Sequence, residues 1–477
     1  MTGFEKARYT LWRGMIAGLK FGSLAGTAGL MVIEPPTASA ETLRSALQKT
    51  IELSPTLSAR RASLTAESET IVQAKIEGRP SAFVYAGITE NLRYQLSSVF
   101  NPDRRTRADL AIDIPLYLGG RVKNAVRAEI LSYRASWRNT EAATSELLLN
   151  AVIAYVDVLR EQAVLELAEE EVSRLVSNHR GVEGQFRIGD LTLTDVSQSE
   201  ARIALARADV DSAKARLLRA REEYTTIVGD APEGLEKPEF ELPSAATEAE
   251  AIQTALDSNE ILRAARLRIE ASDYRVKAAK AERLPRISAS TSVRYFNYLN
   301  SITSELPYEP KQQGTAVEVG ITAEIPIYQG GGPSSLVRQA IHQQTQAAQE
   351  WIDTERTVVS QVRTAYSTLN LLASQYRQAA LAVSANQKAL RGARIEFEMG
   401  TRTLLNVLDA QQELFQAQTV RVSIERDIFI AKFGLAAAMG QTSPANLGLV
   451  DSDNTAFIGP PKPRFSWSDW SDQVPRP

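Results

Sequence analysis

Side-chain chemistry needs a nucleophile beside a base, a cluster of metal ligands, or a loop that cradles phosphate. The 477-residue chain has no cysteine and two histidines, His179 and His342, far apart in polar helical sequence. That excludes disulfide scaffolds, thiolate zinc or iron–sulfur sites, cysteine nucleophiles and cysteine lipidation. It also argues against triads and metal centres built on histidine. Gly330-Gly-Gly332 follows a strand pattern but lacks the lysine of a phosphate loop. No catalytic residue, metal or cofactor is expected, and the chain does not read as an enzyme. With 54 basic and 57 acidic residues, a net charge of −3, no basic field points to nucleic acid. The chain does repeat two devices: carboxylates opposite the apolar face of a strand, and glycines at sharp bends. The elements that carry them must decide the function.

Those elements come twice. Asp113-Ile-Pro-Leu-Tyr-Leu-Gly-Gly-Arg121 returns as Glu324-Ile-Pro-Ile-Tyr-Gln-Gly-Gly-Gly332, an offset of 211. The same offset maps Tyr155 onto Tyr366, Phe186 onto Phe397, Gly189 onto Gly400 and Val196 onto Val407. Earlier positions match at 205: Ala46, Leu57, Lys75 and Pro80 recur as Ala251, Leu262, Lys280 and Pro285. Such a period is too long for a solenoid, so half of the domain has been duplicated in tandem. The copies span 41–228 and 246–440. Between them, 229–245 is rich in proline (Pro232, Pro238, Pro243) and reads as an extended linker. Residues 441–477 hold six of the 20 prolines and read as a disordered tail, with Phe465, Trp467 and Trp470 as an alternative partner-binding motif.

The first 40 residues read as an address. Lys6, Arg8, Arg13 and Lys20 precede a run from Phe21 to Ile33, and Ala38-x-Ala40 is a small-x-small cleavage site. This is a signal peptide's layout; a membrane anchor would need more than 13 apolar residues. Removing 1–40 leaves a net charge of −5 and no apolar run near 18 residues, so helices are not expected to span a membrane. The remaining route is a closed β-barrel.

Each copy reads helix, strand, strand, long helix, turn, helix. In the second strand Ala108, Leu110, Ile112, Ile114 and Leu116 alternate with Arg107, Asp109 and Asp113. Its copy alternates Val317, Val319, Ile321, Ile325 and Ile327 with Glu318 and Glu324. In a soluble sheet the apolar face would be core; in a membrane barrel it would face lipid and the acids a wet lumen. Tyr94, Tyr295, Phe296 and Tyr298 suit an interfacial girdle or ordinary strand aromatics equally. From Gly120 to Phe186 there is no proline, which gives a helix of about 100 Å, longer than a globular core. Its apolar spacing (Leu148, Ala151, Tyr155, Val158; Val359, Val362, Tyr366, Leu369 in copy two) asks for coiled-coil packing. Gly119-Gly120 and Gly330-Gly331 mark the strand-to-helix bends, and Gly189 and Gly400 the helical turns. Four strands cannot close a barrel, so assembly is required if the sheet enters lipid.

The duplication, Ile325-Pro-Ile-Tyr-Gln-Gly-Gly331 and Gly400-Thr-Arg-Thr-Leu-Leu-Asn-Val-Leu-Asp409 together resemble the TolC family of outer-membrane channel-tunnel proteins. The resemblance covers 41–440. It implies a mostly α protein whose four antiparallel strands contribute to a trimeric, roughly twelve-stranded barrel above a periplasmic coiled-coil tunnel. It implies a passive duct for drug efflux or type I protein secretion. Its partners would be a periplasmic adaptor, an inner-membrane ABC or proton-driven exporter and outer-membrane lipid. By motif, Arg402 matches the family's arginine that bonds an Asp of the neighbouring turn, Asp195 that Asp, and Asp409 an acid of the constriction ring. Asn406 stands at the other ring-acid position and Phe397 where a linking tyrosine is usual; phenylalanine donates no hydrogen bond. The resemblance thus implies an entrance with one acid ring, held mainly by Arg402–Asp195, with Gly189, Gly400 and Thr401 at the turns that meet adaptor or transporter. On residue types alone, these are ordinary helix-turn residues. The alternative of another class is a periplasmic adaptor or structural coiled-coil protein, which would carry one helical hairpin between soluble β-domains.

Overall fold

The computed structural model describes residues 41–92, 102–239, 242–243, 245–302 and 311–449. The expected signal peptide, Tyr94 and the aromatic residues from Phe465 to Trp470 lie outside them. In chain order the elements are α1 (Leu43–Leu53), α2 (Pro55–Ile76), β1 (Ser81–Glu90), β2 (Arg104–Tyr117), α3 (Arg121–Arg187) and α4 (Leu193–Val228). The second copy gives α5 (Glu248–Ser258), α6 (Glu260–Ala281), β3 (Arg286–Asn297), β4 (Gln313–Glu324), α7 (Gly332–Glu398) and α8 (Leu404–Ala438). Helices α3 and α7 both have 67 residues, about 100 Å each.

Local signals repeat with the sequence. Thr42 and Thr247 accept the first amide bonds of α1 and α5. Ser54 and Asn259 end one helix and cap the next. At the strand-to-helix bends, Gly119 and Gly120 take φ of +62° and +81°, and Gly330 and Gly331 +62° and +82°. Two consecutive left-handed residues strain any L side chain, which is why glycine stands there twice in each copy.

The sheet has the order β1-β2-β3-β4, all antiparallel. Val84, Leu110, Val293 and Val317 lie opposite one another across the four strands, as do Tyr85, Asp109, Arg294 and Ala316 on the next row. The apolar rows are the bare ones: Val84, Ile88, Val319 and Ile321 are each about three-quarters exposed. The charged row covers itself instead. Asp109 binds Arg294 at 2.9 Å and also Arg107, and is 7% exposed. No described helix packs against the apolar face. This is the inside-out sheet expected of a barrel wall, not of a soluble core. The segment from Ile325 to Tyr328, expected to continue β4, is not strand; Ile327 is 96% exposed. Its counterpart in β2 continues to Tyr117 because β3 pairs with it through a bulge at Pro115. Among the described residues the end of β4 has no such neighbour.

The helices pack side by side. α3 runs along α4 and α6 and meets α8; α7 runs along α6 and α8. Arg426 of α8 grips Asp157 of α3 with two bonds of 2.8 and 3.0 Å. The expectation of no long apolar run is corrected in one place: α3 contains an 18-residue window of mean hydropathy 1.5. The protein turns much of that apolarity inward. Leu148, Ala151, Val152, Tyr155 and Val158 are buried with Leu47, Ile51, Leu217, Tyr224, Val228 and Phe433. The tail expectation is also corrected at its start. Residues 441–449 are not loose: Leu447 and Leu449 join that same core, and Arg44 and Gln48 bond the carbonyls of Gly448 and Leu449.

The linker is laid against the start of α1. Glu41 N–H donates to Glu233 O, and Glu236 N–H to Glu41 O. The buried Tyr155 hydroxyl lies 2.8 Å from Glu41 O and 2.7 Å from Glu236 O. In copy two Tyr366 binds Ala246 O at 3.1 Å. Tyr155→Phe leaves two inward carbonyls without this partner and should cost about 1–3 kcal/mol. Thermal unfolding of the detergent-solubilised protein would report it as a lowered midpoint with secondary structure unchanged.

Candidate functional site

The two helical turns lie at the far end of the long helices from the sheet. They share one design. Gly189 and Gly400 are left-handed, and their N–H groups bond Phe186 O and Phe397 O at 3.0 and 2.9 Å. The next N–H, of Asp190 or Thr401, reaches back to Gln185 O or Glu396 O. These bonds satisfy carbonyls that the long helix leaves open at its end. Thr192 and Thr403 then start the returning helices.

Asp195 and Asn406 occupy the same position of the two copies. Asp195 completes a capping box: its carboxylate accepts from Thr192 N–H at 2.9 Å and from the Thr192 hydroxyl at 2.7 Å. Asn406 instead donates its amide to Thr403 Oγ1 at 3.2 Å. The amide presents no charge to the helix dipole, so the second cap is the weaker of the two.

Within the protomer Arg402 and Asp195 do not pair. Arg402 Nε pairs with Glu396 of its own turn, whose carbonyl also takes the Thr401 hydroxyl at 2.8 Å. Nearer the turns than Arg426–Asp157, a second ion pair joins the hairpins: Arg202 to Asp409, from α4 to α8, at 2.5 Å with both partners partly exposed. Deeper in, Asn178 of α3 donates to Gln411 of α8 at 3.1 Å. Nearby Glu171 is raised above the usual carboxylate range, first by burial, against the pull of Gln411 and Arg174. Phe397, read as a lost hydrogen-bond donor, packs its ring against both hairpins. It touches the cluster of Leu175, Val182, Ile203, Leu404 and Leu408 and that of Val383, Leu390 and Val407.

Sequence reasoning therefore found the turns and missed two residues. Glu396 was legible, six positions before Arg402 on one side of a tight turn. Arg202 was not: its partner lies 207 positions away, and in copy two its place is taken by Glu413. Among the described residues no group of acids and histidines is arranged to hold a metal. The arrangement offers exposed ion pairs within one turn and between the returning helices.

The family model described as "Outer membrane efflux protein" matches residues 46–230 and 251–441. These blocks follow the two copies nearly end to end. Over 431 residues the chain is 29% identical to outer membrane efflux protein BepC of Brucella suis biovar 1, covering 89% of this chain and 90% of that one. It is 27% identical over 307 residues to outer membrane protein TolC of Vibrio cholerae, covering 63% and 69%. The solved structure of the outer membrane protein VceC from Vibrio cholerae shares the fold, with a TM-score of 0.71 at 21% identity over 83% of this chain and 96% of that one. The single-hairpin adaptor alternative does not fit two alternating hairpins and strand pairs. An inside-out sheet, paired rods and a family match over both repeats lead to one conclusion: this chain belongs to the outer membrane efflux protein family, the TolC-type outer-membrane channels with a periplasmic tunnel.

Proposed function

We propose that three copies of the chain close into a homotrimer, with twelve strands in outer-membrane lipid and a periplasmic tunnel of paired helices beneath. It acts as a passive exit duct for small molecules or secreted protein. A periplasmic adaptor and an inner-membrane ABC or proton-driven exporter supply the energy and meet the turns at Gly189, Gly400 and Thr401. The observation that carries this reading is the sheet, with a bare apolar face and two unpaired edges. Lipid offers those edges no water to bond, so another chain must.

The duplication indicates how. Ser81 faces Asp113 as Arg286 faces Glu324, so the β1–β2 register recurs in β3–β4. Carrying the β2–β3 register forward by the same offsets sets β4 against β1 of the next copy. Leu110 opposite Val293 becomes Ile321 opposite the partner subunit's Ile88. Ile114 opposite Ala289 becomes Ile325 opposite the partner's Val84, which would give the bare segment after β4 its missing neighbour. The helices ask for the same step. The contacts of α3 with α6 and α8 lead from copy one to copy two, while Leu371 and Leu381 of α7 and Leu205 and Leu218 of α4 stay more than 60% exposed. A head-to-tail contact of this kind must close into a ring or run on as a fibre.

The entrance is held by links between hairpins. Arg202–Asp409 is the link inside each protomer, and Arg402 with Asp195 remains the candidate pair between neighbours. Asp409, absent from copy one where Gln198 stands, would form a single ring of carboxylates that draws cations.

Two measurements test this. The chain has no cysteine, so Ile88→Cys with Ile321→Cys introduces the only thiols. Opposed antiparallel residues lie about 4.5–5.5 Å apart at Cα, within disulfide reach. Oxidation should give a covalent trimer in denaturing gels, and Ile88→Cys with Val317→Cys, four residues out of register, should not. Failure of the first pair, or equal linking by the second, refutes the seam. In planar bilayers, Arg202→Ala and Asp409→Ala should each raise single-channel conductance, with little further gain in the double variant. Only Asp409→Ala should lower cation selectivity. The effect of either on folding stability should be about 1 kcal/mol or less, because the pair is half in water. Unchanged conductance in both single variants would remove this pair from the gate.

A further inference from the structure

Glu41 sits directly after the expected cleavage site and is 7% exposed. Neither of its carboxylate oxygens has a hydrogen bond of good geometry; Lys49 Nζ stands 3.0 Å from Oε1. The Tyr224 hydroxyl is buried beside it, and burial followed by the charge of Glu41 and a hydrogen bond to it raises its pKa. A buried carboxylate is costly unless cations and donors surround it, and the half-exposed Lys49 gives Glu41 one ion pair only. Copy two supplies the comparison. The residue equivalent to Glu41 is Ala246, the equivalent of Lys49 is Thr254, and the equivalent of Tyr224 is Leu435. Around it the backbone is alike: Thr42 and Thr247 cap the helix, and Tyr155 and Tyr366 bind the carbonyls of Glu41 and Ala246. The chain runs on through Ala246, whose N–H bonds the Glu250 carboxylate at 2.9 Å. The buried acid and phenol therefore occur only in the copy that follows a cleavage site.

We propose that the leader is removed between Ala40 and Glu41 and that the new α-ammonium of Glu41 is a built-in cation of this buried site, pinning the linker to the first helix. Cleavage adds water across the Ala40–Glu41 amide: the carboxylate departs with the leader, and the amine remains on Glu41 and takes up a proton. The N–H that already donates to Glu233 O at 3.3 Å keeps that bond. Two new N–H donors and a full charge appear close to the Glu41 carboxylate, in addition to Lys49. A cation just ahead of a helix N-terminus opposes the helix dipole, so a nearby acid is needed to hold it. Glu41 provides one, and Asp230, 3.2 Å from Lys49 Nζ, extends the cluster. The channel fold does not depend on this inference, and conductance of the same preparation reports on the channel separately.

The test uses protein purified from outer membranes. Terminal sequencing should begin at Glu41, and any other first residue overturns the proposal. Labelling by an amine-selective reagent near neutral pH should modify the Glu41 amine about tenfold or more slowly in the folded assembly than in the unfolded chain, as charge-assisted bonds require. Equal rates overturn it. Inserting Gly-Ser between Ala40 and Glu41 keeps every side chain but moves the amine away. It should lower the thermal midpoint and restore rapid labelling, while an unchanged midpoint overturns the proposal. Glu41→Gln should lower the midpoint similarly, and the insertion should then cost little more; an additive loss would show that amine and carboxylate do not act together.

Discussion

A peptide group in hydrocarbon must find its hydrogen bond within protein, and this constraint organises the molecule. The four strands turn Val84, Leu110, Val293 and Val317 outward and fold Asp109, Arg107 and Arg294 onto one another on the opposite face. That arrangement is unfavourable in water and incomplete in lipid until both edges are paired. The long helices inherit their geometry from the same demand. Each strand pair delivers its chain through a double-glycine bend into a 67-residue rod, so the rods are spaced by the sheet above them.

The duplication turns one solution into a ring with two kinds of position. Caps, bends, turns and strand registers recur, and these are the parts that set spacing. Around the turns the side chains differ. Asp195 faces Asn406, Gln198 faces Asp409, and Arg202 faces Glu413 across the repeat. The turns and the helices that return from them thus combine backbone sameness with side-chain difference. Phe397 shows how far the difference reaches, since its ring is shared by a cluster that spans both hairpins and one within the second.

Much of this was legible in the chain. The bends at Gly119-Gly120 and Gly330-Gly331, the helical turns at Gly189 and Gly400 and the one-sided apolar strands follow from period and glycines, which are local signals. The end of β4 was misread because strand length depends on a partner, and Ile325 to Tyr328 has the alternation of a strand without a neighbour inside the protomer. Residues 441–449 were misread because proline and serine content says little about two leucines that find a core. Arg202 escaped notice because an ion pair between returning helices carries no mark in either stretch of sequence.

The strap after Gly440 has a mechanical consequence. Arg44 and Gln48 on the first helix hold the carbonyls of Gly448 and Leu449, so the first and last described segments are laid side by side. Neither can fray alone. Trimming the strap by a protease would remove two bonds from the exposed side of α1, and in a polypeptide still emerging from the translocation machinery those bonds form only once Gly448 and Leu449 have arrived.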